Sequence, residues 1–271
     1  MTLRDYLNKA KKEKWAIGQF NFSTIEQLRG ILAASKNLNS PVILGTSEGE
    51  SKYLGLREIV VLVEILKAEY NLPVFLNLDH GKDLDQIKKA IDFGYEAVHF
   101  DGSGLPLEKN IEYAKKVVEW GHKKGVLVEG EIEDIKEENL TSTVQAEKFV
   151  KEAEVDSLAI AIGNVHGRAA KLNFQRLQEI NKKTGAFLVL HGGSGISEKE
   201  LKRAINLGIV KININTDLRI AWKKGLAAGL KGGELKPYKI LLKVQKIIQK
   251  KVEEKIKIFG SQNKCKKKIF F

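Results

Sequence analysis

The chain has a single cysteine, Cys265, in 271 residues. An internal disulfide is therefore excluded, as is a zinc site built from thiolates, so any metal must be held by histidine and carboxylate. Long apolar runs are missing too: no stretch could span a bilayer, and the amino-terminal MTLRDYLNKAKKEKW is amphipathic and charged, without an apolar signal core. A cytoplasmic protein is expected. No linker rich in Pro, Gly or Ser divides the chain, and α/β barrels routinely reach this length around one core. We expect a single domain over residues 1–260, including a C-terminal helix, followed by a basic, disordered tail over 261–271. A G-x-G-x-x-G turn is also absent; the first apolar run ends in Phe20-Asn21-Phe22-Ser23. That disfavours a doubly wound dinucleotide-binding sheet.

The formal charge of +12 invites a nucleic-acid reading until its position is considered. From Lys236 onward twelve lysines face Glu253 and Glu254, a local +10 that leaves about +2 for everything else. Within this segment KILLKVQKIIQKKVEEKIKIF repeats Ile, Leu and Val at helical spacing between lysines, the pattern of a surface helix docked by one face. With no aromatic platform or nucleic-acid motif beside the charge, a nucleic-acid partner is not expected.

Eight short apolar runs recur every twenty to thirty-odd residues, at 16–20, 42–45, 74–78, 97–100, 126–132, 157–162, 187–190 and 209–213. Helical patterns fill the gaps, two of them opening on apparent capping boxes, Ser23 with Glu26 and Ser197 with Glu200. Strand and helix alternating in this way predict parallel βα units, and eight of them predict a (β/α)8 TIM barrel. In such a barrel polar side chains collect at the C-terminal ends of the strands. They do so here: Asn21, Ser47, Asp79-His80, Asp101, Glu129-Glu131, His166, His191 and Asn213.

Three of these polar ends are histidines followed at once by glycine, in VFLNLDHG, SLAIAIGNVHG and FLVLHGGSG. Singly each is more often structural. Jointly, His80, His166 and His191 offer the three neutral imidazoles with one open position expected of catalytic zinc. His99 reads as packing at the barrel mouth and His122 as a surface residue. The HGGSG turn after strand seven, paired with Asn213-Ile214-Asn215-Thr216-Asp217 after strand eight, is where barrel enzymes bind phosphate with backbone N–H groups and a helix N-terminus. Asp79 beside His80 can face a substrate as a proton carrier; orienting a ligand imidazole is its alternative role.

In order, LDHG, VHFDGSGLPLEKNI, VEGEI, AIGNVHG, VLHGGSGI and KININTDLRIAW resemble the class II, zinc-dependent fructose-bisphosphate aldolases, most closely their tagatose-bisphosphate aldolase branch. The likeness runs from about Asn21 to Gly260. It implies reversible cleavage of a ketose 1,6-bisphosphate, of fructose or tagatose, to dihydroxyacetone phosphate and glyceraldehyde 3-phosphate. It implies Zn2+, or another divalent ion, on His80, His166 and His191, with Asp101 and Glu131 as alternate or outer ligands and a Na+ or K+ ion near the phosphate. Asp79 would exchange a proton with the C4 hydroxyl. Gly167, Gly192, Gly193, Ser194, Asn213 and Thr216 would cradle the ketose phosphate; Asn21, Ser47 and Asp217 would touch the substrate peripherally, and Arg219 would meet the second phosphate. A homodimer or homotetramer is implied as well.

Two departures from the family pattern bear on the site. The family's loop after strand five is rich in glycine and carries the acid that takes a proton from the nucleophilic carbon, but no glycine occurs here between Gly130 and Gly163. Glu133 is the candidate for that acid, with Glu137 and Glu138 as competitors. The phosphate-binding lysine that often follows the second histidine has no direct counterpart, leaving Arg168, Lys171 or neither in that role. Three other functions stay open at this stage: an aldolase for another phosphorylated ketose, a Schiff-base enzyme using Lys211, or an inactive barrel binding anionic partners through its basic tail.

Overall fold

The computed structural model describes residues 1–135, 139–165, 167 and 171–265. Eight parallel strands close into a barrel in sequence order, β1 (Ile17–Asn21), β2 (Val42–Ser47), β3 (Val74–Gly81), β4 (Ala97–Asp101), β5 (Leu127–Glu131), β6 (Ser157–Ala159), β7 (Phe187–Leu190) and β8 (Ile209–Ile214), with β8 pairing back onto β1. Each expected strand is present. The sixth is shorter than its apolar run, because Ile162 leaves the ladder for an isolated antiparallel bridge to Leu140. The third is longer, reaching Gly81 through its histidine.

Among the described residues the helices are α1 (Leu3–Glu13), α2 (Ile25–Leu38), α3 (Glu48–Leu54), α4 (Leu56–Tyr70), α5 (Leu84–Phe93) and α6 (Leu107–His122) in the first half. The second half adds α7 (Thr143–Ala153), α8 (Phe174–Thr184), α9 (Glu198–Asn206), α10 (Thr216–Leu230) and α11 (Pro237–Phe259). The cap of α2 is Thr24, one residue later than expected, and Ser23 is taken up by the Gln27 side chain. Ser197 does cap α9. A reciprocal capping box forms instead at α3, between Ser47 and Glu50.

Two apolar layers follow from the alternation of the strands. Outward residues pack against the helices, while the lower inward residues Ile17, Ile43, Phe75, Ala97, Leu127 and Phe187 form a second cluster sealed by Leu3, Tyr6 and Leu7 of α1. Helix α1 thus closes the lower end of the barrel with apolar side chains. Helix α11 explains the basic segment: Ile240, Val244, Ile248, Val252 and Ile256 recur every four residues and are buried with Phe259. At roughly 1.5–3 kcal/mol per buried apolar side chain, this face contributes on the order of 10 kcal/mol. Docking onto α2 is close because residue 30 is glycine; a Cβ there would lie 2.8 Å from Ile248 Cγ2. Residues 261–265, expected to belong to the tail, continue the fold: the Asn263 and Cys265 amides donate to the carbonyls of Leu38 and Asn39, and Cys265 is buried.

Candidate active site

The upper, inward strand positions form one connected polar cluster. Strict alternation along β3 would place Asp79 inward and His80 outward. Instead β3 shifts register with β4 between Leu78 and Gly81, and His80 takes a left-handed φ of 50°. Such a conformation costs a residue with a side chain about 1–3 kcal/mol. Its effect is to bring Asp79 and His80 to one cavity of about 310 Å³ at the barrel mouth, lined also by Asp101, His191, Gly192, Ser194, Asn213, Thr216 and Arg219.

Hydrogen-bond bookkeeping fixes the imidazole tautomers. His80 Nδ1 lies 3.1 Å from Asp101 Oδ2 and His191 Nε2 lies 2.7 Å from Glu129 Oε1. Each of those nitrogens donates, because its partner is a carboxylate held ionised. Burial opposes the charge on both acids, but His80 beneath Asp101, and Lys211 and His191 around Glu129, hold them well below the usual range. The remaining nitrogens, His191 Nδ1 and His80 Nε2, face each other at 3.0 Å; with both rings neutral, the form that binds a metal, both present lone pairs. Two acceptors cannot bond to one another; a cation between them resolves the geometry. Two nitrogens on a tetrahedral zinc, with bonds of about 2.0–2.1 Å, stand ~3.3 Å apart, so the pair fits such an ion. Carboxylates behind both rings are the usual orienting partners of metal-bound histidine. Burial, then the neighbouring His80 and His99, push His191 down to about 3, which keeps it neutral.

Asp79 is almost fully buried. Its Oδ2 accepts from Asn21 Nδ2 at 2.9 Å and its Oδ1 from Asn213 Nδ2 at 3.0 Å. Burial would raise the carboxyl, but His80, His99 and His191 around it hold it well below its ordinary value. Glu131 differs: burial pushes it up, and its Oε2 lies 3.8 Å from His80 Nδ1.

The glycine loop after β7 packs closely against the end of β8. Gly193 N–H donates to the Asn213 carbonyl, Ser194 Oγ accepts from the Asp217 amide, and a Cβ on Gly193 would lie 2.5 Å from Ile212 Cγ2. The first turn of α10 opens beside it, with no side-chain cap on Asn215. Gly167 approaches from the opposite loop, since a Cβ there would stand 3.2 Å from Thr216 Cγ2.

Other expected residues lie elsewhere. Asp217 is turned away from the mouth, its Oδ2 2.7 Å from Lys255 Nζ of α11. Lys171 lines a separate cleft with Lys199 and Arg203. Glu133 accepts from the Ser142 amide at 3.3 Å rather than lining the cavity, where Asp134 of the same loop stands instead. Ser47 lines the cavity while capping α3. His166, Arg168, Glu137 and Glu138 lie outside the described residues. His122 is an outer residue on Asp156.

Four further residues belong to the site: Glu50 and Lys82 were not singled out in the sequence, and His99 and Lys211 were given other roles there. His99 forms a triangle with His80 and His191, the three ring centroids 4.7–4.8 Å apart. Lys211 forms a buried pair with Glu129 at 2.6 Å, which places its ammonium beneath His191. Glu50 accepts from Asn21 and meets Arg219 at 3.2 Å, and Lys82 lies 3.5 Å from Asp101. Strand alternation puts residue 99 inward, a usable signal; for Glu50 and Lys82 nothing local was available.

Comparison with known proteins decides the family. The profile of the family described as fructose-bisphosphate aldolase class-II matches residues 1–264. The chain belongs to that family. It is 38% identical to a fructose-bisphosphate aldolase of Staphylococcus aureus over 98% of this chain and 99% of that one. It is 39% identical to a 6-phospho-5-dehydro-2-deoxy-D-gluconate aldolase of Shouchella clausii over 94% and 93%. Among solved structures, the YdjI aldolase of Escherichia coli K12 superposes with a TM-score of 0.89 at 31% identity, covering 98% of this chain and 99% of that one. A putative fructose-1,6-biphosphate aldolase of Coccidioides immitis gives 0.90 at 25%, with 97% of each chain covered. As a class II aldolase the protein is a metal-dependent carbon–carbon lyase, and the His/Asp cluster of Asp79, His80, His99 and His191 is a set of side chains able to hold the metal. No described helix is long and apolar enough to cross a membrane.

Proposed function

We propose that this aldolase reversibly cleaves a ketose 1,6-bisphosphate, of fructose or tagatose, into dihydroxyacetone phosphate and glyceraldehyde 3-phosphate. His80, His166 and His191 would hold Zn2+, which supplies Lewis-acid polarisation of the ketone when bound. The observation that carries this reading is the pair of facing imidazole nitrogens, 3.0 Å apart, beside an Asp79 carboxyl held well below its ordinary value. Asp79 takes the C4 hydroxyl proton as the C3–C4 bond breaks and returns it in condensation. Asn21 and Asn213 keep its two oxygens aimed. The ketose phosphate sits among Gly167, Gly192, Gly193, Ser194, Asn213 and Thr216, where backbone N–H groups and the N-terminus of α10 meet an anion, with Na+ or K+ nearby. The proton on the nucleophilic carbon is handled by an acid of segment 133–138. We further infer a homodimer or homotetramer, consistent with the exposed Leu235, Tyr238 and Leu242 at the start of α11.

The test is cleavage of both bisphosphates by zinc-loaded protein, by protein stripped with EDTA, and by stripped protein given zinc back. Activity that survives exhaustive chelation refutes the reading. Glu133→Gln, Asp134→Asn, Glu137→Gln and Glu138→Gln, compared by exchange of the dihydroxyacetone phosphate proton, locate the loop acid. A second reading, a ketose with a single phosphate, is favoured by one observation: Arg219, the residue suited to the second phosphate, is engaged by Glu50. The Shouchella relative, named for a 6-phospho substrate, is compatible with it. Measuring cleavage of that substrate beside the two bisphosphates separates the readings.

A further inference from the structure

Where β3 breaks register, the amide of His80 loses the β4 carbonyl that a regular parallel ladder would supply, and a buried N–H without a partner is costly. Its partner is a side chain. His80 N–H donates to His99 Nδ1 at 3.1 Å, and the His99 ring is completely buried. Because Nδ1 accepts, the ring proton lies on Nε2, 3.3 Å from Glu131 Oε2. Neither of those two atoms has a hydrogen-bond partner among the described residues. The hydrogen bond that holds the ring is therefore the one from the main chain of His80, with the Glu131 carboxyl group close to its other end.

We propose that His99 is a positioning residue: its Nδ1 holds the main chain of His80 in the left-handed conformation that turns the His80 imidazole toward His191. The proposal rests on the reading of His80 as a metal ligand, and it makes residue 99 a determinant of metal affinity without itself being a ligand. Asparagine and glutamine separate the two ends of the ring. Asparagine Oδ1 occupies the place of Nδ1, whereas the longer glutamine amide reaches the place of Nε2 and leaves the His80 amide without its acceptor.

The experiment compares wild type with His99→Asn, His99→Gln and His99→Phe, each stripped of metal and titrated with Co2+ by its visible d–d absorption, with zinc affinity measured against a chelator. The expected result is a 10–100-fold loss of affinity for Gln and Phe, the range seen when an orienting partner is removed. For Asn the affinity stays within about threefold of wild type, with the same Co2+ spectrum. Phe binding as tightly as wild type overturns the proposal, since the ring would then only fill space. Asn losing as much as Phe, with a spectrum that has lost a nitrogen ligand, overturns it in favour of direct ligation. Should Phe fail to fold, the contrast of Asn with Gln decides alone. Metal-free protein supplies an independent readout: amide exchange at His80 should accelerate roughly fivefold in Gln and Phe, the worth of one hydrogen bond, and not in Asn. If wild type takes up no Co2+ while this exchange contrast appears, the metal reading fails and the positioning contact stands; equal exchange in all variants removes the contact itself.

Discussion

Replacing Lys211 by methionine tests how the site is supported from below. Lys211 Nζ lies 2.6 Å from Glu129 Oε2, both side chains are about 95% buried, and the other Glu129 oxygen takes the proton of His191 Nε2. Methionine keeps most of the volume and removes the cation, leaving a buried carboxylate uncompensated. Breaking a buried pair in this way costs about 3–5 kcal/mol. An unfolding entropy of about 2.1 cal/mol/K per residue gives ~0.6 kcal/mol per degree for a chain of this length, so the melting temperature should fall by about 5–9 °C. The pH dependence carries a sign. In the wild type Glu129 is held below its ordinary 4.5; its contribution is complete above that value and is lost as pH falls through the folded value. Without Lys211, burial raises the carboxyl, so the variant is weakest at neutral pH and the gap to wild type narrows as pH falls toward about 5. Thermal melts at several pH values, with and without EDTA, measure this. An unchanged melting temperature, or a gap that widens with acid, refutes the account. Borohydride trapping with a ketose bisphosphate should give no adduct at Lys211, because its ammonium is paired under the histidine cluster; an adduct there would revive the Schiff-base mechanism.

Asp79→Asn should lower cleavage by about 10²–10⁴-fold, the range for a lost proton carrier, while one metal per chain is retained; near-normal turnover assigns the proton to another group. Glu50→Gln weakens the hold on Arg219, whose side chain is exposed, so KM for a ketose bisphosphate should fall by about 2–5-fold; an unchanged KM removes Arg219 from the second-phosphate role. Burial pushes the Cys265 thiol up to about 12, leaving on the order of one thiolate in ten thousand at pH 8. Its reaction with a disulfide reagent should therefore be slow until the protein is denatured, whereas immediate reaction would show residues 261–265 detached.

The barrel was legible because its signal is local. Apolar runs of strand length, helices between them and polar residues at the strand ends are properties of short windows, and each of the eight runs became a strand. Lost boundaries trace to nonlocal causes: β6 ends early because Leu140 draws Ile162 into a bridge, and the tail starts late because Leu38 and Asn39 offer carbonyls to residues 263 and 265. In the site, Asp79, His80 and His191 were readable as polar strand ends, and HGGSG as a tight turn after β7. The directions of the Glu133 and Asp217 side chains were not readable. Both sit in segments of the right kind, but which way a loop or first-turn side chain turns is set by partners far along the chain, Ser142 for one and Lys255 for the other.

What the amino-acid order determined alone is the alternation that builds the barrel, the exclusion of thiolate chemistry by a lone cysteine, and the residue types gathered at one end of the strands. Only the tertiary structure decided which lone pairs confront one another. His80 and His191 are 111 residues apart, and their tautomers follow from Asp101 and Glu129 on two further strands. Even the direction of His80 depends on a bulge stabilised by the ring of His99. Period-two alternation fixes which face a strand residue presents; the break in it at His80 rests on a hydrogen bond from a neighbouring strand, and no window of sequence contains both partners of that bond in contact.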